Sequence, residues 1–288
     1  MRICLVGEYS GDLDEGMRNT AFYLARELST RHQVLSSHVW SVFSPGFWKS
    51  IKSFRPQIVH YVPGPGLRSL VLVKALSLWC KDAKTVVSAT HPGFSAFSRR
   101  LIPLLKPDLI LCQSSQTQEM FKGFDCNTEF LPSGVDIGRF KPVSASVREE
   151  LREKYGVDKG KFIALHVGHI KKGRNIQLLD EIQGEDDQVI IVGGISVGVE
   201  RDVYRALGAK GCLVWTDYIE NIEEIYALSD CYIFPTIRTP RSLESIEMPL
   251  SVLEAMSCNL PVITTRFGAL PRVFEEGGGL YFAGREDD

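Results

Sequence analysis

Two carboxylates seven positions apart mark the most chemically suggestive segment of this chain. Glu247 and Glu254 stand in Ser245-Ile246-Glu247-Met248-Pro249-Leu250-Ser251-Val252-Leu253-Glu254-Ala255-Met256. Pro249 suits the first turn of a helix, where its missing N–H costs little. Glu247 then sits just outside a helix N-terminus and Glu254 about two turns further on. A carboxylate accepts several hydroxyl hydrogen bonds and so suits a neutral polyol. The free N–H groups near Leu250 and Ser251 suit a phosphate. For Glu247 alone, a carboxylate that merely complements the helix dipole is an equal reading, and spacing does not separate the two.

A second segment is cationic. Gly168-His169-Ile170-Lys171-Lys172-Gly173-Arg174-Asn175 places His169, Lys171, Lys172 and Arg174 between a strand and the next helical pattern. Cations and backbone donors together would hold a diphosphate. The pattern lacks the Gly-Lys-Ser/Thr ending of a phosphate-binding P-loop. A solvated run of charge is the competing reading, and the position at a strand end favours phosphate.

Two further loops carry weaker signals. Gly16 precedes a helical pattern and follows Asp12, Asp14 and Glu15, a combination suited to hydroxyl groups, or else an ordinary flexible loop. His91, in Ala89-Thr90-His91-Pro92-Gly93, follows a strand directly. There it either bonds a sugar hydroxyl or caps a turn.

The elements that would position these loops alternate along the whole chain. Strands are expected at Ile3–Gly7, Val34–Trp40, Ile58–Val62, Thr85–Ala89, Leu109–Cys112 and Glu129–Leu131. After a turn-rich, charged stretch they resume at Phe162–Gly168, Val189–Val192, Cys212–Trp215, Cys231–Pro235, Val262–Thr264 and Gly279–Phe282. Helices are expected between them, among them Gly16–Arg31, Pro45–Phe54, Leu67–Cys80, Phe94–Leu105, Ser146–Tyr155, Asn175–Ile182 and Leu250–Ser257. Such alternation implies parallel βαβ units with right-handed crossovers. The fold class expected is α/β, with two Rossmann-like doubly wound domains facing each other across a cleft. The domains would cover residues 1–140 and 141–288. Ligands of open parallel sheets bind at the carboxyl ends of the strands, where all four loops lie.

Composition narrows the function classes. The chain has 288 residues, a net charge of −2 and a pI near 6.3, so no global positive field argues for nucleic acid. Seven scattered cysteines without a CxxC pair read as buried apolar residues in a reducing compartment, with no zinc or other structural metal. A strand begins at once after Met1, leaving no room for a signal peptide, and Leu67–Cys80 is too short to span a bilayer. A cytoplasmic protein is expected. Phe47-Trp48-Lys49-Ser50-Ile51-Lys52-Ser53-Phe54-Arg55 mixes aromatic and basic residues. Phe47, Ile51 and Phe54 read best as a face packed on the sheet, with peripheral membrane contact the alternative.

Several segments, in order, resemble glycosyltransferase family 4, a retaining family of GT-B architecture. They are Leu131-Pro132-Ser133-Gly134-Val135-Asp136-Ile137-Gly138-Arg139-Phe140, Leu228-Ser229-Asp230-Cys231-Tyr232-Ile233-Phe234-Pro235, Leu253-Glu254-Ala255-Met256-Ser257-Cys258-Asn259-Leu260-Pro261-Val262-Ile263-Thr264, Gly268-Ala269-Leu270-Pro271 and Gly278-Gly279-Leu280-Tyr281. The resemblance implies a hexosyltransferase that uses a UDP-, GDP- or ADP-sugar and needs no cofactor or metal. The donor would be held mainly by the second domain, and a sugar, lipid-linked or small-molecule acceptor mainly by the first. It implies that Glu254 bonds the ribose, Glu247 the transferred sugar, and Leu250 and Ser251 the diphosphate through backbone N–H groups. Lys172 would neutralise the leaving phosphate, His91 would sit near the sugar, and Gly16 would let its loop approach the donor.

Three departures from the family pattern stand out. Six residues separate Glu247 from Glu254 where the family usually has seven, which keeps Glu244 as the other candidate. His169 stands where arginine is usual, so Arg174 or Lys171 would supply the second cation. The chain ends at Asp288, before the further helices that family members usually carry. These departures keep open a donor-binding or scaffolding subunit without turnover, and the shared architecture keeps open a sugar-nucleotide epimerase or phosphorylase.

Overall fold

The computed structural model describes residues 1–9, 16–90, 92–194, 199–237 and 247–284. The chain divides into two compact units. One comprises Met1–Ser133 with Leu243–Met248; the other comprises Gly134–Ser242 with Pro249–Asp288.

The first unit is built on β1 (Arg2–Gly7), β2 (Gln33–His38), β3 (Ile58–Tyr61), β4 (Lys84–Ala89), β5 (Leu109–Cys112) and β6 (Thr128–Phe130). They form one parallel sheet in the order β2-β1-β3-β4-β5-β6. The connecting helices are α1 (Gly16–Ser29), α2 (Pro45–Phe54), α3 (Leu67–Trp79), the short α4 (Ala96–Arg99) and α5 (Ile102–Leu105), and α6 (Ser115–Lys122). Phe47 and Ile51 of α2 and Val73 and Leu76 of α3 are buried with Cys4, Val6, Val59 and Val87, so both helices cover the same face of the sheet.

The second unit repeats the scheme with β7 (Phe162–Val167), β8 (Asp187–Val192), β9 (Leu213–Trp215), β10 (Cys231–Phe234), β11 (Val262–Thr264) and β12 (Leu280–Phe282). Its parallel order is β12-β11-β10-β7-β8-β9. Its helices are α7 (Ala145–Lys154), α8 (Arg201–Ala209), α9 (Ile222–Leu228), α10 (Leu250–Ser257) and α11 (Leu270–Val273). The first helix, α7, is tied to β10 by charge. The buried guanidinium of Arg152 donates to the Asp230 carboxylate at 2.6 Å and to the Leu228, Lys159 and Lys161 carbonyls, while Arg148 donates to the other Asp230 oxygen at 3.0 Å.

Strand–helix alternation follows the pattern read from the sequence, with three local differences. Phe94–Leu105 is two short helices, because Pro103 has no N–H to continue the ladder. The strand expected to reach Trp40 stops at His38, whose Nδ1 caps a 3₁₀ turn over Val39–Phe43. Asn175–Ile182 forms no α-helix. Two 3₁₀ pieces, Lys172–Arg174 and Ile176–Glu181, meet at Asn175, which has φ 58°.

All seven cysteines are free thiols and all but Cys80 are buried. Among the described residues, no helix is long and apolar enough to cross a membrane, and no three His, Cys, Asp or Glu side chains converge as metal ligands would.

Candidate functional site

In a doubly wound sheet the ligand crevice opens where strand order reverses. In the second unit that point lies between β7 and β10, whose following loops are Gly168–Asn175 and the segment leading to α10. Backbone packing holds the first loop in place. A Cβ on Gly193 would lie 2.5 Å from the Gly168 carbonyl oxygen and 2.7 Å from Ile170, so only glycine lets the β8 end pass so close. Asn175 then donates from Nδ2 to the Pro235 carbonyl at 3.3 Å, fastening the cationic turn to the end of β10.

The turn presents its cations unequally. Lys172 is exposed and its ammonium pairs with no carboxylate among the described residues; its backbone N–H donates to Glu200 at 3.1 Å. Arg174 is half-buried, and its Nη1 is shut away from solvent without an acceptor among the described residues. Burial lowers the Arg174 pKa from its ordinary value. A buried guanidinium N–H left unpaired costs about 1–3 kcal/mol or more, a cost that an incoming anion removes. His169 is half-buried in the same loop. The diphosphate-binding helix end expected at Asn175 is a correction: 3₁₀ turns stand there, so side-chain charge outweighs any aligned dipole.

The second loop ends in α10. Pro249 precedes it, no side chain caps it, and the N–H groups of Leu250 and Ser251 have no acceptor among the described residues. The Tyr232 hydroxyl lies 2.7 Å from Ser251 Oγ and 3.2 Å from the Val167 carbonyl, joining the first turn of α10 to the end of β7. One turn later, Glu254 accepts a hydrogen bond from the Tyr226 hydroxyl on Oε2 at 2.7 Å, leaving Oε1 without a protein partner among the described residues. Burial raises the Glu254 pKa, opposed by the Tyr226 bond and the nearby charge of Arg139, which itself pairs with Glu223 at 2.8 Å.

His166, on β7, lies beneath this surface. It is fully buried and stacks with the rings of Tyr232 and Phe234; its Nδ1 is 2.9 Å from the Ile233 carbonyl, and Nε2 has no partner among the described residues. Burial pushes its pKa down to about 4, so the ring is neutral at physiological pH and donates from Nδ1.

The first unit reverses strand order between β1 and β3. Gly7 lets α1 pack on the end of β1, since a Cβ there would lie 2.8 Å from that of Ala21. Gly16 is the first residue of α1. Asp12, Asp14 and Glu15 of its loop, together with His91 and Glu244, lie outside the described residues. Thr90 donates to the Gly64 carbonyl at 3.3 Å, and the Gly93 N–H to Pro65 at 3.0 Å, so the chain on either side of His91 is fastened to the β3 loop. Glu247 also belongs to this unit. It is buried, and its Oε1 accepts a hydrogen bond from Thr117 of α6 at 2.9 Å. The two carboxylates, seven positions apart in sequence, are thus partnered in different units.

Reading loops after strands singled out these cations and both carboxylates, without the division of the carboxylates between the units. It missed Arg139, Tyr226, Tyr232 and His166, which hold or neighbour them. Only the position of His166 and Tyr232 inside strands hinted at a polar role, and burial hid it.

Cations unpaired among the described residues, an uncapped helix end and a carboxylate at the switch point of a doubly wound unit are suited to a phosphate ester or nucleotide. Comparison with known proteins narrows the class. Residues 163–288 match the family model described as Glycosyl transferases group 1. The D-inositol 3-phosphate glycosyltransferase of Corynebacterium jeikeium is 25% identical, aligned over 98% of this chain and 70% of its own length. The GDP-mannose-dependent alpha-(1-6)-phosphatidylinositol monomannoside mannosyltransferase of Mycolicibacterium smegmatis is 26% identical over 68% of this chain and 56% of its own. The chain therefore spans little more than half of that second relative. Among solved structures, Anabaena Alr3699/HepE in complex with UDP and glucose aligns with a TM-score of 0.74 at 16% identity, covering 98% of this chain and 85% of that one. Sucrose-phosphate synthase from Thermosynechococcus elongatus aligns at 0.75 and 14% identity, covering 99% and 86%. These likenesses show the two-domain α/β fold of GT-B glycosyltransferases. The segment 163–288 is thus similar to the group 1 glycosyltransferases.

Proposed function

We propose that this chain transfers a hexosyl group from a nucleoside-diphosphate sugar to an acceptor hydroxyl, with retained anomeric configuration and no requirement for metal. The second unit binds the donor and the first unit the acceptor. The observation that carries the reading is the buried, unpaired Arg174 Nη1 at the β7/β10 switch point, next to the unpaired Lys172.

In this reading Arg174, Lys172 and His169, with the N–H groups of Leu250 and Ser251, surround the diphosphate. They stabilise the negative charge that develops as the bond between the sugar C1 and the phosphate oxygen breaks. Glu254 accepts the ribose hydroxyls on Oε1, while Tyr226 fixes its other oxygen. Glu247 and His91 orient the transferred sugar, and Gly16 lets the β1 loop approach it. The acceptor oxygen attacks C1 from the face the nucleotide leaves, and its proton passes to the departing phosphate oxygen. An oxocarbenium-like state on that path needs no protein nucleophile. A polyol acceptor accords with the relative named for D-inositol 3-phosphate.

The test is calorimetric titration of UDP, GDP and ADP into the metal-free protein, with EDTA present, repeated on Glu254→Ala. One nucleotide should bind saturably, and losing a charged hydrogen bond of about 1.5–3 kcal/mol should weaken it roughly 10- to 100-fold. A folded protein that binds none of the three, or that binds equally well without Glu254, would sink the proposal.

A further inference from the structure

From Leu28 to Lys81 the chain contains no aspartate or glutamate, although 35 of its 288 residues are acidic. That stretch includes α2 and α3, which cover one face of the first unit's sheet. Lys49, Lys52, Arg55, Arg68, Lys74 and Lys81 are all exposed on it, and none pairs with a carboxylate among the described residues. An acid-free stretch with this many exposed cations contrasts with the net charge of −2 of the whole chain.

Large apolar side chains stand out of the same surface. Phe43 is 80% exposed and Trp40 66%, and their rings stack at 6.2 Å on the turn before α2. Leu78 is 65% and Trp79 48% exposed at the end of α3. Two indole hydrogen bonds bind these parts into one platform: Trp48 Nε1 donates to Val42 at 2.9 Å, and Trp79 Nε1 to the Trp48 carbonyl at 3.1 Å. Lys52 Nζ sits 5.4 Å over the Trp79 ring. At the other end of α2, a groove of about 630 Å³ is lined by Arg2, Lys49, Lys52, Ser53, Phe54 and Arg55. Of the apolar residues of α2, Phe47 and Ile51 are buried and Trp48 and Phe54 half-buried, so the most exposed apolar groups come from the flanking turn and from α3.

We propose that the outer faces of α2 and α3 dock on an anionic lipid bilayer. Trp40, Phe43, Leu78 and Trp79 would enter the interface, where indole and phenyl rings are favoured, while the surrounding lysines and arginines meet lipid phosphates. Aliphatic Leu78 and Val71 beside the aromatics suit acyl chains better than stacked bases, which favours a membrane over a nucleic acid. The inference stands apart from the proposed transfer reaction, because it uses none of that site's residues.

The test is flotation of the full chain with vesicles of phosphatidylcholine alone and of phosphatidylcholine mixed with phosphatidylglycerol. Binding is expected only to the mixed vesicles, with a blue shift of tryptophan fluorescence and release at high salt. Each basic residue at an anionic surface contributes about fivefold. Lys49→Glu combined with Lys52→Glu should therefore lower partitioning at least about twentyfold while leaving the melting temperature and nucleotide titration unchanged. Trp40→Ser with Phe43→Ser should weaken binding and diminish the fluorescence shift. The proposal is overturned by absence of flotation, by equal flotation with both vesicle types, or by binding that the lysine reversals leave intact. Retention on heparin without flotation would likewise overturn it, assigning the surface to a soluble polyanion.

Discussion

The two switch points of this molecule share a backbone plan and differ in chemistry. In each unit a parallel six-stranded sheet reverses its order beside its first strand, at β1/β3 in one and β7/β10 in the other. Each has a buried histidine on a strand at that point, His60 on β3 and His166 on β7. Above β7 and β10 the loops gather Lys171, Lys172 and Arg174 with an uncapped helix end. Above β3 the loop is Val62-Pro63-Gly64-Pro65-Gly66, with no charge at all. A doubly wound sheet supplies the place where a ligand sits, and the loop residues decide which ligand. The cationic loop is suited to a diphosphate and the neutral one to an uncharged polyol.

The largest effect that would separate the units is on stability. Arg152→Ala removes a buried guanidinium with four partners and leaves Asp230 and three carbonyls short of a donor. Breaking a buried charge pair from one side costs about 3–5 kcal/mol. Arg148 keeps its bond to Asp230, which places the loss toward the lower end. Hydrogen exchange should show the cost in β7 and β10 and leave β1 to β5 protected as before. Equal loss of protection in both sheets would mean that the units do not respond separately.

Acid sharpens the comparison in a second way. Burial pushes both His60 and His166 down to about 4, against an ordinary 6.5. The unfolded chain therefore takes up these protons first as pH falls, so stability is intact above pH 6.5 and declines towards pH 4. A shift of 2.5 units at 1.36 kcal/mol per unit gives about 3 kcal/mol for each site. His166→Phe should flatten the decline for the second unit alone, because it removes the titrating ring while keeping an aromatic ring against Tyr232 and Phe234, at the cost of the Nδ1 bond to the Ile233 carbonyl. The first unit should keep its dependence, since His60 stays buried. Exchange protection followed from pH 7 to pH 4.5 measures both; an unchanged profile in the variant would remove His166 from the account.

Much of this plan was legible in the sequence, for identifiable reasons. Short β-branched runs such as Ile58-Val59 and Val189-Ile190-Ile191-Val192 leave few alternatives to buried parallel strands, and capping serines such as Ser44 and Ser114 mark helix starts. The carboxylate pair was legible as a pair but not as a division, because nothing local to Glu247 indicates that its partner is Thr117, 130 positions earlier. Likewise the sequence around Asn175 has helical periodicity, yet the left-handed Asn175 and its bond to Pro235 divide it into 3₁₀ turns. Non-local hydrogen bonds decided both cases, and spacing along one segment carries no information about them.

The smallest effect tests the chemical half of the comparison. Lys172 is exposed, so its charge is partly screened and its contribution to binding a diphosphate should be about 1 kcal/mol, roughly fivefold in affinity. Lys172→Ala should weaken a nucleoside diphosphate by that factor and leave the matching nucleoside untouched, because a nucleoside carries no phosphate for the ammonium to meet. Arg174→Ala should behave alike with a larger factor, since its guanidinium is half-buried and screened less. Raising salt should erase much of the Lys172 difference and little of the Arg174 difference. Lys52→Ala, on the first unit's basic face, serves as the matched control: it removes the same charge far from the β7 loop in sequence and should leave the titration as it was. If all three variants weaken nucleotide equally, general charge attracts the ligand, and the contrast between the two switch points loses its chemical basis.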